Sequence, residues 1–204
     1  MSVITVETPH GPSRLTVHPA PDAHAVLLLG HGAGGGIGAF DLVALAEELP
    51  ARGITVVLHE QPWRVAGKRI GPRPPTLDEG WRPALQALAD GYPGVPLWVG
   101  GRSAGARVAC RCFDERQAGV ICLAFPLHPP GKPESSRIAE LAGVTGPVLV
   151  VQGERDPFGS PDDVRIAARE AGGAQPTIVG VPGTHSFNRG AATRAVTAVA
   201  EFMA

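Results

Sequence analysis

Short runs of consecutive apolar residues alternate along the chain with longer segments in which apolar residues recur every three or four positions. The runs are typical of buried strands, whereas the longer spacing, as at Leu42, Leu45 and Leu49, is typical of amphipathic helices. Strands that are apolar on both faces predict a mainly parallel sheet with helices packed on both sides, which is an α/β fold. Strands are predicted at 25–29, 54–58, 95–100, 120–124, 148–152 and 177–181, and helices at 40–52, 76–89, 103–115, 161–171 and 190–203.

Two β-rich runs precede this alternating pattern. Residues 3–7 and 14–18 flank the turn-forming sequence Pro9-His10-Gly11-Pro12, and together they predict an N-terminal antiparallel hairpin. The sequence shows no interdomain linker, so we expect a single domain over residues 1–204.

The longest irregular stretch, 59–75, directly follows a predicted strand. Because ligands of parallel sheets bind beyond the carboxyl ends of the strands, we expect this stretch to form one wall of the functional site. The helix after it is predicted to begin near Thr76, which with Glu79 fits a capping box.

Composition and charge exclude several classes of partner. Hydrophobic residues make up 44% of the 204 residues, which is enough for a folded core, and the net charge of −1 gives no attraction to nucleic acid or to an anionic membrane. The longest dense apolar run, 25–29, is too short to cross a bilayer. Residues 1–10 carry no signal-peptide pattern, and three cysteines without metal-ligand spacing fit a reduced compartment. We therefore expect a cytoplasmic protein without a metal ion.

Gly101-Arg102-Ser103-Ala104-Gly105 matches the G-x-S-x-G pattern. The five residues follow a predicted strand and open a predicted helix, which is the setting that a nucleophile elbow requires. Small residues at 101 and 105 allow the tight turn, and the helix N-terminus stabilises negative charge beside it. A plain helix cap is the other interpretation of Ser103, but the context favours a catalytic nucleophile.

A serine nucleophile needs a base, and the base needs an orienting carboxylate. His185 lies between the last predicted strand and the last helix, and Asp156 lies in the loop after the strand 148–152. We predict that His185 is the base and Asp156 its partner. The chain order Ser, Asp, His is that of α/β hydrolases and differs from the orders of the two familiar serine-protease scaffolds.

The loop 30–36 follows the first buried strand and is rich in glycine. We predict that the N–H of Ala33, together with the N–H of Ala104, forms the oxyanion hole. The same loop also fits the dinucleotide fingerprint G-x-G-x-x-G, but Glu60 lies thirty positions beyond Gly30, farther than the roughly 20 residues usual for the acid that binds ribose. That alternative would also leave the three triad residues unexplained.

These motifs resemble the α/β-hydrolase superfamily over about residues 25–204, and most of all its small, lidless, dienelactone-hydrolase-like members. The resemblance rests on the segments 31–34, 101–105, 153–156 and 183–187, while 60–64 and 125–132 look like one bacterial branch of predicted hydrolases. It implies the α/β-hydrolase fold, with Ser103 as nucleophile, His185 as base and Asp156 as its acid. Dienelactone hydrolases proper carry a cysteine nucleophile, so their substrate is not transferred to this chain. Only 23 residues separate 124 from 148, which leaves no room for a cap domain.

The sequence therefore predicts a serine hydrolase that cleaves carboxylic esters or related small acyl compounds without a cofactor. Two alternatives stay open, namely an acyltransferase and a hydrolase-like interaction protein without catalytic activity. The oligomeric state is not readable from the sequence. Five residues are candidates for substrate contact: Gly34, Trp63, Arg64, Arg102 and His128.

Overall fold

The computed structural model describes residues 1–173 and 175–204. Eight strands form one sheet in the order β1-β2-β4-β3-β5-β6-β7-β8. The strands are β1 Ser2–Val6, β2 Ser13–His18, β3 Ala25–Gly30, β4 Ile54–Glu60, β5 Leu97–Arg102, β6 Gly119–Leu123, β7 Val148–Gly153 and β8 Thr177–Val181. The helices are α1 Phe40–Glu48, α2 Pro62–Val65, α3 Pro74–Gly91, α4 Ala104–Arg111, α5 Ile138–Ala142, α6 Pro161–Ala171 and α7 Arg189–Phe202, with a 3-10 turn at Pro50–Arg52.

The sheet confirms the predicted α/β architecture. β1 and β2 form the expected hairpin, and β2 pairs with β4 in antiparallel fashion, whereas every pair from β4 through β3 to β8 is parallel. β3 is central, and all six of its residues are buried, because helices cover both faces. No cap domain interrupts the described chain between β6 and β7, where the only helix is α5.

Alternating side chains of the strands supply two separate cores. On one face, Leu27 and Leu29 pack with the apolar stripes of α1 and α7. On the other face, Val26 and Leu28 belong to a core that also contains buried residues of α3, α4, α5 and α6. The alternation follows from strand geometry, in which successive side chains point to opposite faces.

The predicted capping box at Thr76 is wrong. α3 begins two residues earlier, at Pro74. The side chain of its N-cap residue, Arg73, makes no capping hydrogen bond to the first turn of the helix. Proline at the first helical positions loses no hydrogen bond there, since those N–H groups have no partner within a helix, and its fixed φ favours the helix start. A complete capping box occurs instead at α6, between Ser160 and Asp163.

The irregular stretch 59–75 holds the last residues of β4, the short helix α2 and the start of α3. Neither α2 nor α5 was predicted, because four or five residues are too few for a periodic pattern. In the part of the chain that the structure describes, no helix combines the length and the apolar character that a membrane crossing needs.

Candidate active site

A cavity of about 620 Å³ lies where the loops after β3, β5, β6, β7 and β8 converge. This is the carboxyl end of the parallel strands, where an α/β sheet places its ligands. Glycines of the loop after β3 line one side of the cavity, and residues of the β8–α7 loop line the opposite side. Its polar and charged lining residues are Asp41, Arg102, Ser103, Arg107, Arg137, His185 and Ser186.

Ser103 stands at a sharp turn between β5 and α4. Its φ of 53° and ψ of −110° lie in a region that non-glycine residues rarely adopt. The turn is held by a hydrogen bond from the Ser103 N–H to the Leu123 carbonyl at 2.9 Å. A Cβ at Gly105 would lie 2.3 Å from the carbonyl oxygen of Gly30, so only glycine lets α4 approach β3 this closely. The turn thus presents the Ser103 hydroxyl to the cavity.

The structure brings Ser103, His185 and Asp156 into one hydrogen-bonded line. The Ser103 Oγ lies 2.9 Å from Nε2 of His185, and the Asp156 Oδ2 lies 2.8 Å from Nδ1 on the other side of the ring. Both distances fall within the roughly 2.6–3.2 Å range of hydrogen bonds between catalytic groups. The Asp156 side chain is fully buried, whereas His185 is partly exposed to the cavity.

Asp156 is held from two further directions. Its Oδ1 accepts from the Phe158 N–H at 2.8 Å, and its Oδ2 accepts from Nε2 of Gln152 at 3.0 Å. The same amide nitrogen also lies 2.7 Å from the Gly159 carbonyl and 3.1 Å from the Phe125 carbonyl. Gln152 is completely buried at the end of β7, so it ties the Asp156 loop to the sheet.

Phe158 also contacts the imidazole of His185 directly. The two ring centroids are 4.3 Å apart with the planes tilted by 36°. This contact restricts the orientation of the imidazole ring, and both residues line the cavity.

The loop after β3, for which an oxyanion hole is predicted, forms a tight turn beside the cavity. The Gly35 N–H donates to the Gly32 carbonyl at 3.4 Å, which closes a turn around Ala33 and Gly34. Both central residues line the cavity, as does Ala104. Among the described residues, neither the Ala33 N–H nor the Ala104 N–H has a main-chain acceptor, so both are free to donate to a ligand.

His31 supports this turn from behind. Its Nε2 accepts from the Gln61 N–H at 3.2 Å, which leaves Nδ1 to donate to the Gly32 carbonyl at 2.8 Å. Burial lowers the pKa of His31, so the neutral ring that this arrangement needs is favoured.

Arg102 lines the cavity, but its guanidinium contacts groups of the protein itself. Its Nε lies 3.0 Å from Oδ2 of Asp41, and one terminal nitrogen donates to the His185 carbonyl at 2.6 Å. Burial raises the pKa of Asp41, and the charge of Arg102 opposes that shift. Arg102 therefore joins the start of α1 to the loop that carries His185.

Of the five predicted contact residues, Gly34 and Arg102 line the cavity and the other three do not. Trp63 is buried beside His31 of the loop after β3. The indole and the imidazole meet edge-on, with their ring centroids 5.5 Å apart. Arg64 packs beside Gly36, and the His128 ring bonds to the Pro129 carbonyl at 2.9 Å. Their positions after strands suggested the pocket, but the loops turn their side chains away from it.

Sequence reasoning missed Gln152, Asp41, Arg107, Arg137 and Phe158. Phe158 and Gln152 flank Asp156 closely in the chain, so a closer inspection of that loop could have found them. Asp41 had no such signal, because its partner Arg102 is sixty-one positions away.

Comparison with known proteins agrees with the α/β fold. Residues 23–198 match the sequence model of a family described as an alpha/beta hydrolase domain. An alpha-beta serine hydrolase homologue from Coxiella burnetii superposes with a TM-score of 0.81 at 20% identity, over 100% of this chain and 97% of the other. A serine hydrolase without a lid from Xanthomonas campestris gives 0.71 at 25% identity, over 96% and 93%. A thermophilic esterase from Thermogutta terrifontis gives 0.73 at 16% identity, over 100% and 98%.

Proposed function

The chain belongs to the alpha/beta hydrolase domain family, and from this premise we propose that it is a serine hydrolase of carboxylic esters or related small acyl compounds. The observation that carries the proposal is the hydrogen-bonded line from Ser103 through His185 to Asp156. A serine hydroxyl is a weak nucleophile by itself, and this arrangement supplies the base that activates it.

In the acylation step, Nε2 of His185 takes the proton of the Ser103 hydroxyl while Oγ bonds to the carbonyl carbon of the ester. The carbonyl oxygen becomes an oxyanion, which accepts hydrogen bonds from the N–H groups of Ala33 and Ala104. Asp156 stabilises the imidazolium through Nδ1. The C–O bond to the alcohol then breaks, and the alcohol leaves with the proton from Nε2.

Deacylation repeats these steps with water. His185 takes a proton from a water molecule, whose oxygen attacks the acyl carbon, and the carboxylic acid leaves as Ser103 regains its proton. Without a cap domain, Ala33 and Gly34 are exposed at the rim of the cavity. Water can therefore reach the acyl-enzyme, as deacylation by hydrolysis requires.

The neighbouring structures support the same class of reaction. Those from Coxiella burnetii and Xanthomonas campestris carry the name serine hydrolase, and that from Thermogutta terrifontis the name esterase. The structure from Xanthomonas campestris has no lid, which agrees with an open site in this protein.

Labelling with a fluorophosphonate probe, followed by peptide mass spectrometry, tests the proposal. We expect a label on Ser103 in the wild-type protein and none in Ser103→Ala. His185→Ala should label far more slowly, whereas His10→Ala, which changes an exposed histidine paired with Glu79, should label normally. An unlabelled wild-type protein that is folded by circular dichroism would contradict the proposal. Product analysis in the presence of added alcohols would reveal a transferase by formation of new esters.

A further inference from the structure

Three guanidinium groups line the cavity that contains Ser103, and two of them have carboxylate partners. Arg102 pairs with Asp41 at 3.0 Å. Arg107 makes a two-pronged pair with Glu140, at 2.7 Å from Nε and 2.6 Å from a terminal nitrogen. In both pairs the charge of the arginine is matched by a carboxylate.

Arg137 differs from the other two. One of its terminal nitrogens donates to the Pro126 carbonyl at 3.0 Å, and no carboxylate in residues 1–173 or 175–204 lies within 4.0 Å of its guanidinium. It is half-buried and lines the same cavity as Ser103. The remaining N–H groups of Arg137 have no acceptor in the described chain.

Glu140 does not neutralise Arg137, because two other arginines share it. Besides Arg107, Arg111 lies 3.2 Å from Glu140, and Arg111 also pairs with Asp78 at 2.6 Å. The cluster therefore carries one positive charge in excess, because it holds three arginines, Arg107, Arg111 and Arg137, and two carboxylates, Asp78 and Glu140. That charge lies at Arg137, on the side that faces the cavity.

Burial and, to a smaller extent, the nearby charge of Arg107 lower the pKa of Arg137, and the charge of Glu140 opposes that shift. An arginine nevertheless stays protonated at any physiological pH. Arg137 thus keeps its positive charge in a partly buried place near the charge of Arg107, where an anionic ligand would stabilise it.

We propose that Arg137 binds a carboxylate of the substrate, so that the preferred substrates of this site are esters that carry one free carboxylate. The planar guanidinium presents parallel N–H groups that match the two oxygens of a carboxylate. A single excess positive charge matches a singly charged group better than a doubly charged phosphate. Apolar side chains of Phe158, Phe187 and Pro126 line the cavity with it and suit the carbon chain of such an ester. The inference rests on the proposed hydrolase function of the same site.

Two matched pairs of esters test it by kcat/KM. Mono-4-nitrophenyl adipate and 4-nitrophenyl hexanoate place a carboxylate or a methyl group at the end of the same acyl chain. The second pair, 3-acetoxybenzoate and 3-acetoxybenzamide, places the charge on the leaving group. We expect the wild-type protein to prefer the anionic member of at least one pair by about tenfold or more, as for a hydrogen bond to a charged group.

Arg137→Gln should abolish that preference, because kcat/KM should fall much more for the anionic ester than for the neutral ester. Arg137→Lys should retain part of the preference because it keeps the charge. Arg169→Gln makes the same change of net charge on the exposed side of α6, outside the cavity, and should keep the full preference. No preference in the wild-type protein, or equal loss in Arg137→Gln and Arg169→Gln, would overturn the inference.

A binding measurement separates this inference from the proposed function. Calorimetric titration of Ser103→Ala with mono-4-nitrophenyl adipate needs no turnover, and we expect binding that weakens about tenfold or more when Arg137→Gln is added. If the wild-type protein neither takes the fluorophosphonate label nor cleaves any ester, the proposed function fails, and this titration still decides the carboxylate site. Equal affinity with and without Arg137 would overturn the carboxylate site even in an active hydrolase.

Discussion

The guanidinium of Arg102 donates a hydrogen bond of 2.6 Å to the main-chain carbonyl of His185, although eighty-three positions separate the two residues. Arg102 immediately precedes Ser103 in the chain. The bond therefore joins the nucleophile turn to the loop of the base, beside the hydrogen bond between their side chains. Asp41, almost completely buried at the start of α1, holds Arg102 in this position.

Arg102→Met is expected to lower kcat by about tenfold to a hundredfold, because a displacement of His185 of about 1 Å misaligns proton transfer. The rate of fluorophosphonate labelling should fall with kcat, while the label stays on Ser103. Steady-state kinetics and labelling rates measure both effects.

Asp41 would be left buried and unpaired in that variant, so Arg102→Met is best compared with the double variant Asp41→Asn, Arg102→Met. The double variant should recover stability but not kcat. Recovery of kcat as well would show that Arg102 does not position His185.

Gln152→Leu should reduce both stability and activity. The substitution removes the amide that donates to Asp156 and leaves two buried carbonyls, those of Phe125 and Gly159, with one partner fewer. We expect a loss of about 1–3 kcal/mol in the free energy of unfolding, measured with urea, and a lower kcat. Gln86→Leu on the exposed side of α3 is the control. A stable Gln152→Leu with wild-type kcat would contradict this role.

Gly105→Ala should destabilise the protein by about 3 kcal/mol, because its methyl group would overlap the main chain of Gly30. Gly91→Ala offers the opposite case, since nothing lies within 4 Å of a methyl group at that position in α3. The free energy of unfolding of Gly91→Ala, measured with urea, should equal that of the wild-type protein or be slightly higher. Equal stability of the two variants would show that α4 can move away from β3.

His59 predicts a dependence of stability on pH. Its ring is completely buried, and burial lowers its pKa to about 3 from an ordinary value of 6.5. The unfolded chain therefore binds a proton between these two values that the folded protein excludes, so stability falls as the pH drops below 6.5. Between pH 7 and pH 5 this amounts to about 2 kcal/mol.

Replacement of His59 by Leu removes this titration, and the urea-unfolding free energy should then change less over the same range of pH. An unchanged slope in His59→Leu would mean that other groups cause the acid sensitivity.

Patterns local in the sequence predicted most of the fold and the three residues that the structure aligns. Each strand from β3 onward is a continuous apolar run, and Ser103, Asp156 and His185 each lie in a loop that follows such a run. Because these loops meet at one end of a parallel sheet, their proximity follows from topology alone. Side-chain detail was not needed for it.

The contacts made by the cavity arginines could not be predicted in this way. Arg102, Arg107 and Arg137 differ only in which carboxylates the tertiary structure brings near them, and no spacing in the sequence encodes that. Trp63 and His128 show the converse, since each follows a strand but its loop directs the side chain elsewhere. The start of α3 depended on two prolines whose effect outweighs the cap suggested by Thr76.

The position of β8 at the margin of the sheet has a consequence for how the protein would lose activity. Within residues 1–173 and 175–204, β8 pairs only with β7, and it is the least buried of the parallel strands. His185 lies in the loop that β8 leads into, whereas Ser103 follows the central strand β5. If β8 separates from β7, His185 moves away from Ser103 while β3, β4 and β5 stay paired. Such a local opening costs less free energy than global unfolding. Inactivation on heating should therefore precede the loss of bulk secondary structure.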